Sequence, residues 1–348
     1  MMLQKTEEIM KRCLIVLLLI WVCSTSFAKT IQIASIGNFK TTGGSEITDC
    51  KVGYQMFGKL NAAKNNAVLF PTWFTGTTNG LVMYTKPWQF IDTTKYCLIL
   101  VDALGDGVSS SPSNSPTQHG NKFPAITIED MVNSQHAMLT KTLGINHLYA
   151  IFGISMGGFQ VYQWVVSYPD FVDRALPIVG SPRLSSYDLF VTNILKRLIE
   201  QNINFNHGNY TANPAIPLAA MYADMNLTTP LNIARNVKRE DAAQRMASFE
   251  KPQAFDWNNF YTQLTALMGQ DVSNKYGGSM EETAKHIKAK MVIVNARNDH
   301  SVNPLPASEL AALLKAKFWL VDNEKGHNGV DFSSVEFKTL AADLLNSR

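Results

Sequence analysis

The chain has 348 residues, 46% of them hydrophobic and 17% charged, with no long polar tract, a composition that suits a globular protein able to bury a large core. Its formal net charge of +3 is small and its basic residues are dispersed, which sets aside nucleic-acid binding. Length alone permits two domains, or one α/β domain with insertions.

The first 28 residues differ from the rest. Lys11 and Arg12 precede an apolar run from Cys13 to Val22, and Ser26-Phe27-Ala28 follows, the three parts of a secretory signal peptide. The run is shorter than the roughly 20 residues that span a bilayer. Cleavage after Ala28 and export to the periplasm or beyond are expected. The alternatives are an uncleaved anchor, lipidation at Cys23 (which Val22 disfavours) and a true start at Met10. Beyond the leader only Cys50 and Cys97 remain. They make neither a disulfide framework nor a metal-ligand spacing, and no H-E-x-x-H occurs, so no metal or other cofactor is expected.

From residue 31 onward, strand-like and helix-like segments alternate. Val68 to Phe70, Leu98 to Asp102 and Leu148 to Gly153 are short apolar runs that fit buried strands of a parallel sheet. Between the last two, a helix is predicted over Ile128 to Leu143, opened by Thr127 with Asp130 three positions on and stopped at Gly144. A further helix follows Ser155 and runs to about Ser167, and Ala175 to Gly180 reads as the next strand. Roughly 110 residues then separate it from the strand Met291 to Asn295. They are rich in helix formers, with amphipathic spacing from Leu189 to Gln201, and a structureless loop of that length is implausible. A helical cap inserted at 182–285 is the expectation, with the core in 29–181 and 286–348. A helix (about Ala307 to Ala316), a strand (Phe318 to Val321) and a last helix (about Ser334 to Leu345) complete a mostly parallel, doubly wound α/β sheet.

Gly153-Ile154-Ser155-Met156-Gly157 is a G-x-S-x-G elbow with a strand before it and a helix after it. The glycines admit a tight turn that holds Ser155 at the strand's end, near the positive pole of the following helix. The bland reading is a structural turn serine. A serine hydroxyl is a weak nucleophile until a base takes its proton, and here the base must follow in the order Ser, acid, His. His327 lies in a glycine-flanked loop after the last strand, whereas His286 falls in a cap helix and reads as a surface residue. Asp299, just beyond Met291 to Asn295, is the expected acid; Asp322 is its rival, and a turn cap before Pro304 is its bland role. His300 reads as packing or solvent-facing. The oxyanion donors are expected from the backbone of Met156 and of Phe74, in the loop Pro71 to Gly76. Trp73 and Phe74 also suit simple packing beside a pocket, and Trp73 is a candidate substrate contact.

Those motifs sit within longer blocks: Tyr54-Gln-Met-Phe-Gly-Lys-Leu-Asn61, Asn66-Ala-Val-Leu69, Phe74-Thr-Gly76, Phe123-Pro-Ala-Ile-Thr-Ile128, Ser155-Met-Gly-Gly-Phe-Gln160 with Trp164 and Tyr168-Pro-Asp170, Arg183-Leu-Ser185, Gly208-Asn-Tyr210 and Gly326-His327. From about Gly53 to Phe332 the chain resembles the homoserine O-acetyltransferases. The resemblance implies the α/β-hydrolase fold, a helical cap over a tunnel, an acyl-Ser155 intermediate and, because family members often pair through their caps, a homodimer.

Three features depart from that family. Members that use homoserine carry an Asp directly after the histidine, facing the substrate's ammonium; here the position is Asn328. Their cap arginine, which holds the substrate carboxylate, has no counterpart in Pro217-Leu-Ala-Ala-Met-Tyr222, unless Arg235 or Arg239 substitutes. The leader directs the chain away from the cytosol, where acetyl-CoA is made. The expected function is therefore an exported hydrolase of short acyl esters, small molecules that bind near Ser155, Trp73 and Asn328. An O-acyltransferase is the alternative, and a non-catalytic binding protein a distant third. In this fold the strand near Cys50 should run antiparallel to the strand that starts at Cys97, leaving the thiols at opposite ends and unbonded, because bridged Cα atoms lie within about 7 Å.

Overall fold

The computed structural model describes residues 30–347; the leader read in residues 1–28 lies outside them. The strands β1 (Gln32–Lys40), β2 (Glu46–Phe57), β3 (Ala67–Pro71), β4 (Cys97–Val101), β5 (Ala150–Ile154), β6 (Arg174–Ile178), β7 (Lys290–Ala296) and β8 (Lys317–Val321) form one sheet in the order β1-β2-β4-β3-β5-β6-β7-β8. β1 and β2 are antiparallel to each other, β2 is antiparallel to β4, and every pairing from β4 to β8 is parallel. Each residue of β3 and β4 is buried, because helices cover both faces.

Alternation along the strands supplies two cores. Leu69, Ile99 and Ile151 face one, with Val132, Trp164 and Val165. Phe70, Leu98, Leu100 and Phe152 face the other, with Leu81, Phe337 and Leu344. The helices that deliver these residues are α1 (Thr78–Thr85), α2 (Ile128–Ala137), α3 (Met156–Ser167) and, at the end of the chain, Val335–Asn346.

Helix α2 opens as expected: Thr127 Oγ1 accepts from Asp130 N at 3.0 Å, and Asp130 Oδ2 accepts from Thr127 N at 2.9 Å. It does not continue as an α-helix to Leu143. From Met138 to Thr142 the coil widens to a π turn, closed by Leu143 N donating to Met138 O, while Thr140 Oγ1 donates back to His136 O. β5 also starts two residues late, since Leu148 makes only an isolated bridge to Val172.

Between β6 and β7 the chain is helical: α4 (Ser186–Glu200), α5 (Pro217–Asn226), α6 (Pro230–Asn236), α7 (Ala242–Ser248), α8 (Trp257–Met268) and α9 (Met280–His286). α10 (Leu305–Leu314) follows β7, and the terminal helix is α11. Cys50 and Cys97 are buried and are not joined in a disulfide. The β2–β4 register, Tyr54 opposite Val101 and Phe57 opposite Leu98, puts them at opposite ends of the pair, as expected.

Candidate active site

The site is built at the C-terminal ends of β3, β5, β7 and β8. After β5 the chain reverses at Ser155, whose φ of 55° and ψ of −123° are a strained conformation for a residue with a side chain, costing about 1–3 kcal/mol. The surroundings enforce it. Ser155 N donates to Ile178 O at 2.8 Å, and a Cβ on Gly153 would lie 2.2 Å from Gly157 O. One on Gly157 would lie 2.6 Å from Pro71 O, so the start of α3 rests directly on the end of β3. The first helical bond of α3 is Phe159 N to Ser155 O, which leaves the Met156 N–H without an intrahelical acceptor at the helix's positive end.

The expected partners converge on Ser155. Ser155 Oγ and His327 Nε2 are 2.9 Å apart, and His327 Nδ1 and Asp299 Oδ2 are 2.7 Å apart. A carboxylate only accepts, so Nδ1 carries the proton and Nε2 is the acceptor for the serine hydroxyl. Asp299 is held from its other oxygen: Oδ1 accepts from Ser301 N at 2.8 Å and Val302 N at 2.9 Å. Both Asp299 and His327 are buried, at 5% and 7% exposure. His327 sits in the turn Gly326–Gly329 after β8, where Gly326 has a φ of 63° and a Cβ would meet Asn298 O at 2.8 Å. The rivals lie elsewhere. Asp322 is exposed and pairs with Arg297 at 3.3 Å, and His286 is exposed, stacked on Tyr276 at 4.3 Å.

The loop after β3 is anchored along its length. Thr72 N donates to Val101 O, Thr72 Oγ1 accepts from Ala103 N, and Thr72 O accepts from Gln160 Nε2, each at 3.0 Å. Gly76 N donates to Trp73 O at 2.9 Å, closing a turn in which Thr75 has a φ of 57°. Among the described residues nothing accepts the Phe74 N–H. The Phe74 ring stands edge-on to Phe260 of α8 at 4.5 Å. The Trp73 indole lies over Gly76 and Gly80 and meets Tyr84 edge-on at 6.0 Å, the packing role open to it. Asn328 is exposed, in an outer groove of about 380 Å³ that Tyr84, Lys86, Lys325 and Asp331 also line, and its N–H donates to Leu227 O at 3.3 Å. Trp73 and Asn328 make no hydrogen bond to Ser155, His327 or Asp299.

Three carboxyl groups near the site, two of them buried and one half-buried, had no place in the sequence reading. Asp188 accepts from Asn303 N at 2.9 Å beside the Asp299 loop; burial pushes its carboxyl up, and the nearby Asp299 adds to this. It also closes a capping box with Ser185, a signature legible as Ser-x-x-Asp. Asp102 accepts from Thr78 N at 2.7 Å and Thr78 Oγ1 at 2.9 Å, pinning α1 just beyond the Phe74 loop. Desolvation raises its pKa and raises that of the half-buried Asp106 well above the usual value, with Asp102 itself the second cause for Asp106. Among the described residues no group of three His, Cys, Asp or Glu could hold a metal ion.

A hydroxyl, an imidazole and a carboxylate in this chain, beside two free backbone N–H groups, can deprotonate a serine as it attacks an acyl carbon. Comparison with known proteins agrees with that chemistry. Residues 68–334 match the alpha/beta hydrolase fold family. The chain is 33% identical to an ethyl acetate hydrolase of Pseudomonas veronii over 77% of its own length and 80% of the relative's. It is 30% identical to a homoserine O-acetyltransferase of Methanohalophilus mahii over 75% of its length and 60% of the relative's. The solved structure of the acetyl esterase MekB superposes with a TM-score of 0.83 at 29% identity, covering 92% of this chain and 97% of that one. The chain therefore belongs to the α/β-hydrolase fold family, in the branch that joins acetyl esterases to homoserine O-acetyltransferases, and is an enzyme of the esterase or acyltransferase kind.

Proposed function

We propose that this protein is an exported carboxylic-ester hydrolase acting on short acyl esters through an acyl-Ser155 intermediate. The observation that carries the reading is the hydrogen-bonded chain Ser155–His327–Asp299, 2.9 Å and 2.7 Å long, on a strained elbow. In the first half-reaction Ser155 Oγ attacks the ester carbonyl carbon while His327 Nε2 takes its proton. Asp299 stabilises the imidazolium and keeps its orientation. The N–H groups of Met156 and Phe74 receive the negative charge that develops on the carbonyl oxygen. Collapse expels the alcohol, which takes the proton from His327. Water then attacks the acyl carbon by the same route, releasing the acid and restoring Ser155.

Water is favoured over a charged acceptor for reasons of charge. The side chain that follows His327, that of Asn328, is uncharged and lines the outer groove, so it offers a bound ammonium no charge-assisted partner beside Ser155. Helix α5 carries no arginine, and the arginine on α6, Arg235, is at the surface with its guanidinium on Glu324. Likeness to an ethyl acetate hydrolase and an acetyl esterase supports the same side. Export rests on the leader. Pairing of two copies through the helical segment between β6 and β7 is part of the reading, and the exposed Phe190, Leu218 and Met225 there support it.

Rates on acetyl and butyryl esters, with and without homoserine and simple alcohols as acceptors, test the reading. Hydrolysis without an acceptor should dominate. Acetylation of homoserine from acetyl-CoA that outpaces ester hydrolysis would reverse it in favour of the transferase. A serine-directed phosphonate should label the wild type once and Ser155→Ala not at all.

A further inference from the structure

We propose that Gln263, on helix α8, is a positioning residue that sets the direction of the Phe74 N–H by clamping the strained turn at Thr75. This rests on the reading of Phe74 as an oxyanion donor.

Thr75 is β-branched yet occupies the left-handed region, at a φ of 57°, where glycine is the ordinary choice. Something outside the turn must hold it there. The Thr75 N–H donates to Gln263 Oε1 at 2.7 Å, and Gln263 is fully buried. Its other end donates from Nε2 to Leu104 O at 3.2 Å. A backbone N–H on one side and a carbonyl on the other leave the amide a single satisfied orientation. The side chain thus ties the loop after β3 to the loop after β4. Gly105 makes room for it, since a Cβ there would come within 3.1 Å of Gln263 Cγ.

Peptide planarity carries the constraint to Phe74. The Trp73–Phe74 peptide is oriented by Gly76 N donating to Trp73 O, and the Phe74–Thr75 peptide by Gln263. The Phe74 N–H lies in the first of these planes, and the second, joined to it at the Phe74 Cα, fixes the backbone on the other side of the donor residue. The ring of Phe74 rests on Phe260, three residues before Gln263 and on the same side of α8. One helix from the segment between β6 and β7 therefore holds both the side chain and the following peptide of the donor residue. A loosened Phe74 N–H should fail mainly in the transition state, where the oxygen is charged, and much less with the neutral substrate.

The test compares Gln263→Leu and Gln263→Glu with the wild type on p-nitrophenyl acetate, with phosphonate titration to count active sites and thermal melts to verify folding. For Gln263→Leu we expect kcat to fall by about 10–10²-fold, short of the roughly 10²–10³ of a lost donor, with KM within about twofold. Affinity for a trifluoromethyl ketone, which forms the tetrahedral adduct, should fall in parallel. Gln263→Glu regenerates the acceptor–donor pair only when protonated, so its activity relative to wild type should rise as pH falls. If Gln263→Leu does not fold, that pH trend decides. A folded Gln263→Leu with near-wild-type kcat, or a pH-independent ratio for Gln263→Glu, overturns the proposal. Failure of the proposed function, in which Ser155 is the nucleophile, shows differently, as phosphonate labelling that survives Ser155→Ala.

Discussion

Asp299→Asn tests the acid of the site with little change in shape. Asp299 Oδ1 accepts two backbone N–H groups, from Ser301 and Val302, while Oδ2 faces His327 Nδ1. An asparagine keeps those two backbone bonds only by placing its carbonyl oxygen there and turning its NH2 towards Nδ1. That makes Nδ1 an acceptor and moves the ring proton to Nε2, which then cannot take the proton of Ser155. The opposite rotamer restores the productive tautomer but leaves two buried N–H groups facing a donor. At about 1–3 kcal/mol each, this costs about 2–6 kcal/mol. With 1.36 kcal/mol per decade, roughly thirtyfold to 3 × 10⁴-fold less enzyme is competent. Loss of the anion beside the imidazolium pushes the effect to the upper end, near the 10⁴ or so known for such a change in a Ser-His-Asp site. The assay is kcat for p-nitrophenyl acetate at neutral pH, with active sites counted by phosphonate. A loss below about tenfold, or an equal loss for Asp322→Asn, would refute the assignment, since Asp322 is committed to Arg297 at the surface.

Other positions give independent checks. Gly153→Ala should destabilise the fold at or beyond the upper end of about 1–3 kcal/mol in urea unfolding, because its Cβ would meet the backbone of Gly157 at 2.2 Å and 2.4 Å with no flexible neighbour to yield. Folding takes up a proton at the Asp102–Asp106 pair, whose pKa values burial raises, so stability falls as pH climbs from the unfolded value towards the folded one, by up to about 1.4 kcal/mol per pH unit for one proton. Asp106→Asn, whose amide supplies a hydrogen where the acid held its proton, should flatten that slope in melts from acid to alkaline pH; parallel curves would dismiss the effect. Cys50, buried with its thiol pushed up to about 12 by desolvation, and the buried Cys97 should resist iodoacetamide in the native protein and both react after unfolding without reductant; a two-proton mass loss instead would mean a disulfide.

The parts of this protein that were readable in the sequence are those whose physics is local. β3 and β4 are buried on both faces and so read as unbroken apolar runs. Thr127 and Asp130 cap each other across three residues, and the elbow's glycines lie within one turn of Ser155. His327 and Asp299 were legible because chain order and strand ends restrict where they can stand. What escaped is long-range. Gln263 is one polar residue in an amphipathic helix, and its partner Thr75 is 188 residues away. The π turn at Met138 coincides with the back-bond from Thr140 Oγ1 to His136 O, which no periodicity reports. Asn328 adjoins a buried histidine, yet its own side chain is exposed, because successive residues of a 3₁₀ turn point about 120° apart.

Strain in the backbone marks the same place that the hydrogen bonds do. Among the described residues with a side chain and a positive φ, three stand at or just beyond the ends of neighbouring parallel strands: Thr75 after β3, Ser155 after β5 and Val179 after β6. Thr75 and Val179 are β-branched, for which this region is least tolerable. Each is held by a bond from outside its own turn. Thr75 N donates to Gln263, Ser155 N to Ile178 O, and Val179 N to Val294 O at 2.7 Å. The last two bonds lash the ends of β5, β6 and β7 together beneath the serine. Such conformations persist only where the surrounding structure over-determines them. A turn serving only to connect elements would have relaxed or taken glycine. The clustering of three held, non-glycine outliers along one sheet edge therefore argues that this edge is shaped for geometry rather than for stability, which is the condition a preorganised acyl-transfer site must meet.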